Sequence, residues 1–201
     1  MEPFLGPESE DEPGELILLC GQDGGEMEGI VGALNLMHVF ETGKDLRGRE
    51  WSYLHALPEK ARVIVVPCQN PDGRDRVVPK SLVGASYDQF RYWCQGAWKN
   101  GDLIGYPDCK WYQPLPPEEV AFLGGYPNGQ GYNIVHDASP LGSVTAEASS
   151  VLQKMLEERP DVVVHVHSCE HGPFFILPTP LTPNRHQEVQ VRMQRDAFER
   201  W

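Results

Sequence analysis

Three short apolar runs constrain this chain more than any other feature: "ELILLCG" from Glu15, "ARVIVVPCQN" from Ala61 and "DVVVHVHS" from Asp161. Each is nearly continuous in aliphatic residues instead of alternating with polar ones. That is the pattern of strands buried on both faces, and sheets covered on both faces are in practice parallel. Between the first two runs, Ile30, Leu34 and Met37 fall at helical spacing, so the connection is a crossover helix within a β-α-β unit. Before the third, Val144, Ala148, Val151, Leu152 and Met155 repeat with a helical period that Pro160 brings to an end. The expected class is α/β, with a twisted, mostly parallel or mixed sheet flanked by helices.

A chain of 201 residues with 40% hydrophobic content can bury one ordinary core. Its opening, "MEPFLGPESEDEPGE", is acidic and rich in Pro and Gly, with too little apolar surface to offset the entropy of ordering it. The expected organisation is a disordered acidic tail over 1–14 and one domain over 15–201. The net charge of -12, from 29 acidic and 17 basic residues, argues against nucleic acid or an anionic membrane as partner, because both need a basic surface. A peptide or small-molecule substrate fits that charge. The five cysteines are odd in number and lack Cys-x-x-Cys spacing, which points to reduced thiols and a cytoplasmic setting. No apolar run approaches the ~18 residues of a membrane span, and the N-terminus lacks the basic-then-apolar order of a signal peptide.

From about Pro79 to Gly131 the chain looks loop-like, with many aromatic residues interleaved with Gly and Pro. Long loops in compact domains usually carry function, so this segment is expected either to wall a substrate cleft or to form a satellite hydrophobic cluster.

The polar residues gather at the ends of the apolar runs. Asp23 and Glu26 follow the first, "NPDGRDR" (70–76) follows the second, and His167 closes the third. In open α/β sheets the carboxyl ends of strands meet along one edge, where ligands bind. Taken singly, each has a structural explanation: Asp23 as a helix cap, Glu26 as a first-turn acid, and "NPDG" as a turn. Taken together, Asp-x-x-Glu plus a distant histidine makes a three-ligand set of the kind found in catalytic zinc sites, which leave a fourth position for water.

These segments, in this order, resemble the zinc metallocarboxypeptidases of the carboxypeptidase A type and their aspartoacylase-like relatives. "GQDGGEMEG" is similar to that family's Gly-x-His-Gly-x-Glu turn, "VVPCQNPDGR" to its strand ending in Asn-Pro-Asp-Gly, and "PDVVVHVHS" to its strand with the third zinc ligand. "GGYPNGQGYNIVHD", followed by a helix containing Glu147, stands where the family binds the substrate carboxylate. The resemblance covers Leu16 to His171. It implies Zn2+ held by Asp23, Glu26 and His167, and hydrolysis of a peptide or amide bond. It also implies an arginine that stabilises the oxyanion, for which Arg74, Arg76 and Arg91 are candidates.

Several positions depart from the family. Asp23 replaces a histidine, which makes the ligand set harder and lets Mn2+ or Fe2+ compete with Zn2+. Val135 and His136 replace the Asn-Arg pair that grips a substrate carboxylate, leaving His136 as the candidate substrate-binding group. His165 stands where the family usually has an aspartate, and is either a partner to the ligands or an alternative ligand. The family's general base is a glutamate on a strand downstream of the third ligand. Here Glu170 lies three residues beyond His167, while Glu188 and Glu199 fall in a helix-like tail. The chain is therefore expected to be part of a longer protein and a poor catalyst alone. An N-acyl amino-acid amidohydrolase, or an inactive binding module on the same fold, are the alternatives to a metallocarboxypeptidase-like hydrolase.

Overall fold

The computed structural model describes residues 13–110, 115–137 and 142–167, together with positions 191, 192, 195 and 199. The chain divides into two units, Met1–Ser168 and Cys169–Trp201. In the first, the elements in order are β1 (Gly14–Cys20), α1 (Met27–Thr42), α2 (Ser52–His55), β2 (Ala61–Val66), α3 (Pro71–Arg76), α4 (Tyr87–Gln95), β3 (Ala97–Trp98), β4 (Val120–Phe122), α5 (Ala146–Glu158) and β5 (Val162–Val166). Residues 1–12, most of the predicted tail, lie outside the described residues, and Gly14, which the sequence placed in that tail, opens β1.

The three apolar runs form one parallel sheet in the order β2-β1-β5. Its register aligns Leu19 with Val66 on one side, and Cys20 with Val166 on the other. The strands thus end together and deliver Gly21, Pro67 and His167 to one edge. Within this sheet the central strand carries the most deeply buried side chains, Ile17, Leu19 and Cys20, as expected of a strand with two hydrogen-bonded neighbours. The sheet and its helices make this unit an α/β structure.

Helix α1 connects β1 to β2 as expected, but with a different buried face. Gly29, Ile30, Ala33 and Val39 turn inward, whereas Leu34 and Met37 remain 48% and 43% exposed. Small residues allow the helix to lie close to the sheet, which moves the larger apolar side chains to its flank. Helix α5 begins at Thr145, whose side chain accepts from Ala148 N, and ends at Arg159 in the left-handed region, φ 51. Pro160 disfavours a right-handed helical conformation for the residue before it, which accounts for this stop.

The middle segment departs most from expectation. It is not one long loop: it contains α4 and the antiparallel pair β3-β4. Ser86 and Gln89 form a reciprocal capping box at the start of α4, a signature present in "SYDQ". The segment has its own core of Cys94, Ile104, Cys109, Leu115, Val120 and Tyr126. Tyr92 stacks on Phe122 at 4.8 Å, with Trp93 edge-on to both. Aliphatic residues and thiols, more than the aromatic rings, fill the centre of this satellite cluster. Among the described residues no helix is long and apolar enough to cross a membrane. In the second unit, residues 191, 192, 195 and 199 are helical and exposed, with Arg195 Nε 3.8 Å from Glu199 Oε1.

Candidate metal centre

Strand β1 ends at Cys20, and the chain turns through Gly21–Gly25 before α1 begins at Met27. The turn is closed by Glu26 N donating to Asp23 O at 2.9 Å, so the two acidic side chains leave one short loop. Neither serves as a helix cap: Glu26 occupies the N-cap position of α1 without a side-chain capping bond. Asp23 is 3% exposed and Glu26 2%. His167, the first residue past β5, places Nδ1 3.0 Å from Glu26 Oε2 and 3.2 Å from Asp23 Oδ2. Candidate ligand atoms of all three residues lie within 4.8 Å of one another.

Two carboxylates buried side by side repel each other and lose hydration, so the site requires positive charge. The His167 imidazolium supplies it. Its hydrogen bonds to Asp23 and then Glu26 push its pKa up to about 10 against the opposing effect of desolvation. A single proton leaves the cluster net negative, whereas a divalent cation would neutralise both carboxylates and free the imidazole nitrogen to ligate. The donor set therefore fits a divalent metal ion. The Cys94 thiol, fully buried behind the turn, is pushed up by burial and further by Glu26, Asp23 and Glu28. It is a neutral packing group.

The floor beneath the turn is built from backbone. Gly24 N donates to Gly125 O at 2.8 Å. The fully buried Asn70 accepts from Gly73 N and donates to Gly125 O and Tyr126 O at 3.2 and 2.9 Å. Three loops thus meet with almost no side chain between them. A Cβ on Gly24 would come within 2.3 Å of Arg74 N, and one on Gly73 within 2.2 Å of Gly125 O, so both positions need glycine for close approach. "NPDG" becomes the capped first turn of α3, with Pro71 at a position where the missing N–H has no cost.

The other predicted residues occupy distinct places. Arg74 reaches the turn itself, its Nη1 donating to Gly24 O at 3.0 Å, while Nη2 donates to Val77 O and Pro79 O. Arg76 donates to Gly124 O, Pro127 O and Asn128 O, and burial lowers its pKa. Arg91 points to the satellite cluster, donating to Leu103 O at 3.1 Å and lying over the Tyr87 ring. His136 ends the 3-10 turn Ile134–His136, whose cap Asn133 is tied to Cys109 O. The Glu147 carboxylate accepts from Asn128 Nδ2 at 3.2 Å. Glu170, His171 and Glu188 lie outside the described residues.

His165 is occupied by a residue that sequence reasoning passed over. Gln22 Nε2 donates to His165 Nδ1 at 2.6 Å, which requires the neutral ring. Desolvation, with a smaller contribution from His167, lowers the His165 pKa in keeping with that form. The only signal for Gln22 in the sequence is its place beside Asp23. Asp137 was missed as well: it is buried and accepts from Val144 N, Thr145 N and Thr145 Oγ1, fixing the start of α5.

No family model, curated protein or solved structure matches this chain.

Proposed function

We propose that this chain is a metal-dependent hydrolase domain of the metallocarboxypeptidase type, acting on a peptide or amide bond. The observation that supports it is the convergence on one small region of Asp23, Glu26 and His167, the last of them 141 residues from Glu26. Asp23 and Glu26 would hold the metal through oxygen and His167 through nitrogen. When bound, the ion would supply Lewis-acid polarisation of a carbonyl and a water of lowered pKa. Zn2+ suits such a site, with Mn2+ or Fe2+ as competitors, since two oxygens and one nitrogen form a harder set than the family's.

Arg74 is the strongest of the three oxyanion candidates, because its guanidinium already lies against the residue following Asp23. All three arginines donate to backbone carbonyls, and those of Arg76 and Arg91 lie outside the Gly21–Gly25 turn. The N-acyl amino-acid amidohydrolase reading is supported by Val135 and His136 standing where a carboxypeptidase has its carboxylate-gripping pair.

The test is a pairing of metal binding with turnover. Purified protein stripped with chelator is titrated with Zn2+, Mn2+ and Fe2+, then assayed on C-terminally free peptides and on N-acyl amino acids. Stoichiometric binding that His167→Ala abolishes, with metal-dependent release of product, supports the proposal, and the better substrate separates its two forms. Because this chain is expected to be a poor catalyst alone, slow release above the chelated control is the supporting outcome, and binding with no release at all on either substrate would favour the binding module. Failure to bind any of the ions would remove the metal centre.

A further inference from the structure

Gln22 is 4% exposed, and while its Nε2 bonds His165, its buried Oε1 has no hydrogen-bond partner among the described residues. A half-turn of the amide would only exchange the roles, leaving a buried NH2 in place of the buried oxygen. Among the described residues one end of the amide therefore has no partner in either orientation, which costs stability that an apolar side chain of equal length would not. Residues that break such a rule tend to do so beside functional sites. Gln22 immediately precedes Asp23, and His165 stands two residues before His167.

The location of the contact gives it a purpose. The β1-β5 ladder ends with Cys20 opposite Val166, and all three candidate ligands emerge beyond that point. Strand ends without ladder bonds are free to splay, and β5 is an edge strand of this sheet among the described residues. The 2.6 Å contact joins Gln22, two residues past the last ladder pair, to His165, which is still inside the ladder opposite Leu19, so it anchors the turn that carries Asp23 to the strand that delivers His167. His165 lies in β5 and His167 is the first residue past it, two positions on, the spacing that keeps two side chains on one face wherever extended backbone continues.

We propose that Gln22 is a positioning residue for the metal centre: by holding His165 it fixes the end of β5 where His167 meets Asp23 and Glu26. The inference rests on the metal reading above and adds to it a residue outside the ligand set. Residues of this kind, which orient ligands without touching the ion, typically change metal affinity about 10-fold to 100-fold when removed.

The experiment is a Co2+ titration of the full chain, following both affinity and the visible absorption at saturation, for wild type, Gln22→Met, His165→Phe and the double variant. The positioning role predicts about a tenfold loss of Co2+ affinity in each single variant, with an altered spectrum. It also predicts little further loss in the double variant, as expected for two halves of one contact. Metal-free Gln22→Met should melt no lower than wild type, since it removes an unsatisfied amide. Wild-type affinity and spectrum in Gln22→Met, or in His165→Phe should Gln22→Met fail to fold, would overturn the inference and leave the metal reading intact. Wild type that binds no Co2+, indistinguishable from His167→Ala, would overturn both.

Discussion

Carboxylates are seldom fully buried, yet Asp23 and Glu26 are almost inaccessible and share one imidazole. Protonated His167 compensates their charge in the metal-free protein, and this links stability to pH. Its folded pKa of about 10 lies above the ordinary 6.5, so the stabilisation is complete below pH about 6.5 and is lost as pH rises through about 10. Thermal melts of metal-free wild type across that window should converge on those of His167→Ala at the alkaline end. A divalent ion must displace the same proton, so its apparent affinity should rise about tenfold per pH unit until the imidazole is neutral. Calorimetric titrations at pH 6, 7 and 8 (about one unit apart) would measure the slope. Asp23→His should increase Zn2+ affinity by restoring a nitrogen donor and removing one negative charge. The residue types of this candidate centre were legible in the sequence because polar clusters follow the ends of all three apolar runs. Gln22 and Asp137 were not, since an isolated amide or carboxylate has many roles and only its partners distinguish them.

At the scale of elements, the site depends on loops that pack backbone against backbone. Asn70→Ala would uncap α3 and leave the carbonyls of Gly125 and Tyr126 without their amide donor, so denaturant unfolding should show a loss of about 2–4 kcal/mol. Metal affinity should fall with it, because Gly125 O also receives Gly24 N beside Asp23. Ser86→Ala removes only one side of a capping box on an exposed helix start. It should cost about 1 kcal/mol and leave metal binding unchanged, a contrast that equilibrium unfolding and calorimetry would reveal. The parallel strands and α5 were legible because long apolar periodicity dominates local preference. Helix α4 was hidden by its aromatic and polar composition, although its capping box was in plain view. The inward face of α1 was misjudged because spacing identifies a helix, while the close approach allowed by Gly29 and Ala33 selects which side is buried.

For the whole molecule, a metal that binds the folded state and not the unfolded one must raise its melting temperature. At 100 times its dissociation constant the ion should add about 2.7 kcal/mol, or about 5–10 °C for a chain of this size. Scanning calorimetry with and without chelator would record the shift, and His167→Ala should abolish it. The sequence alone determined the α/β class, a mostly parallel or mixed sheet containing its three apolar runs, and the types of the candidate ligands, because continuous apolar runs and a period of 3.6 leave direct marks on local composition. Tertiary structure decided the rest. Whether Asp23 and Glu26 meet His167 depends on the β1-β5 register, and Arg74 reaches the carbonyl of Gly24 while Arg91 donates to that of Leu103, a choice set by which loop carbonyls each guanidinium meets. That Gln22 holds His165 is likewise a matter of contacts between residues 143 apart, and no local pattern encodes a distance across the fold.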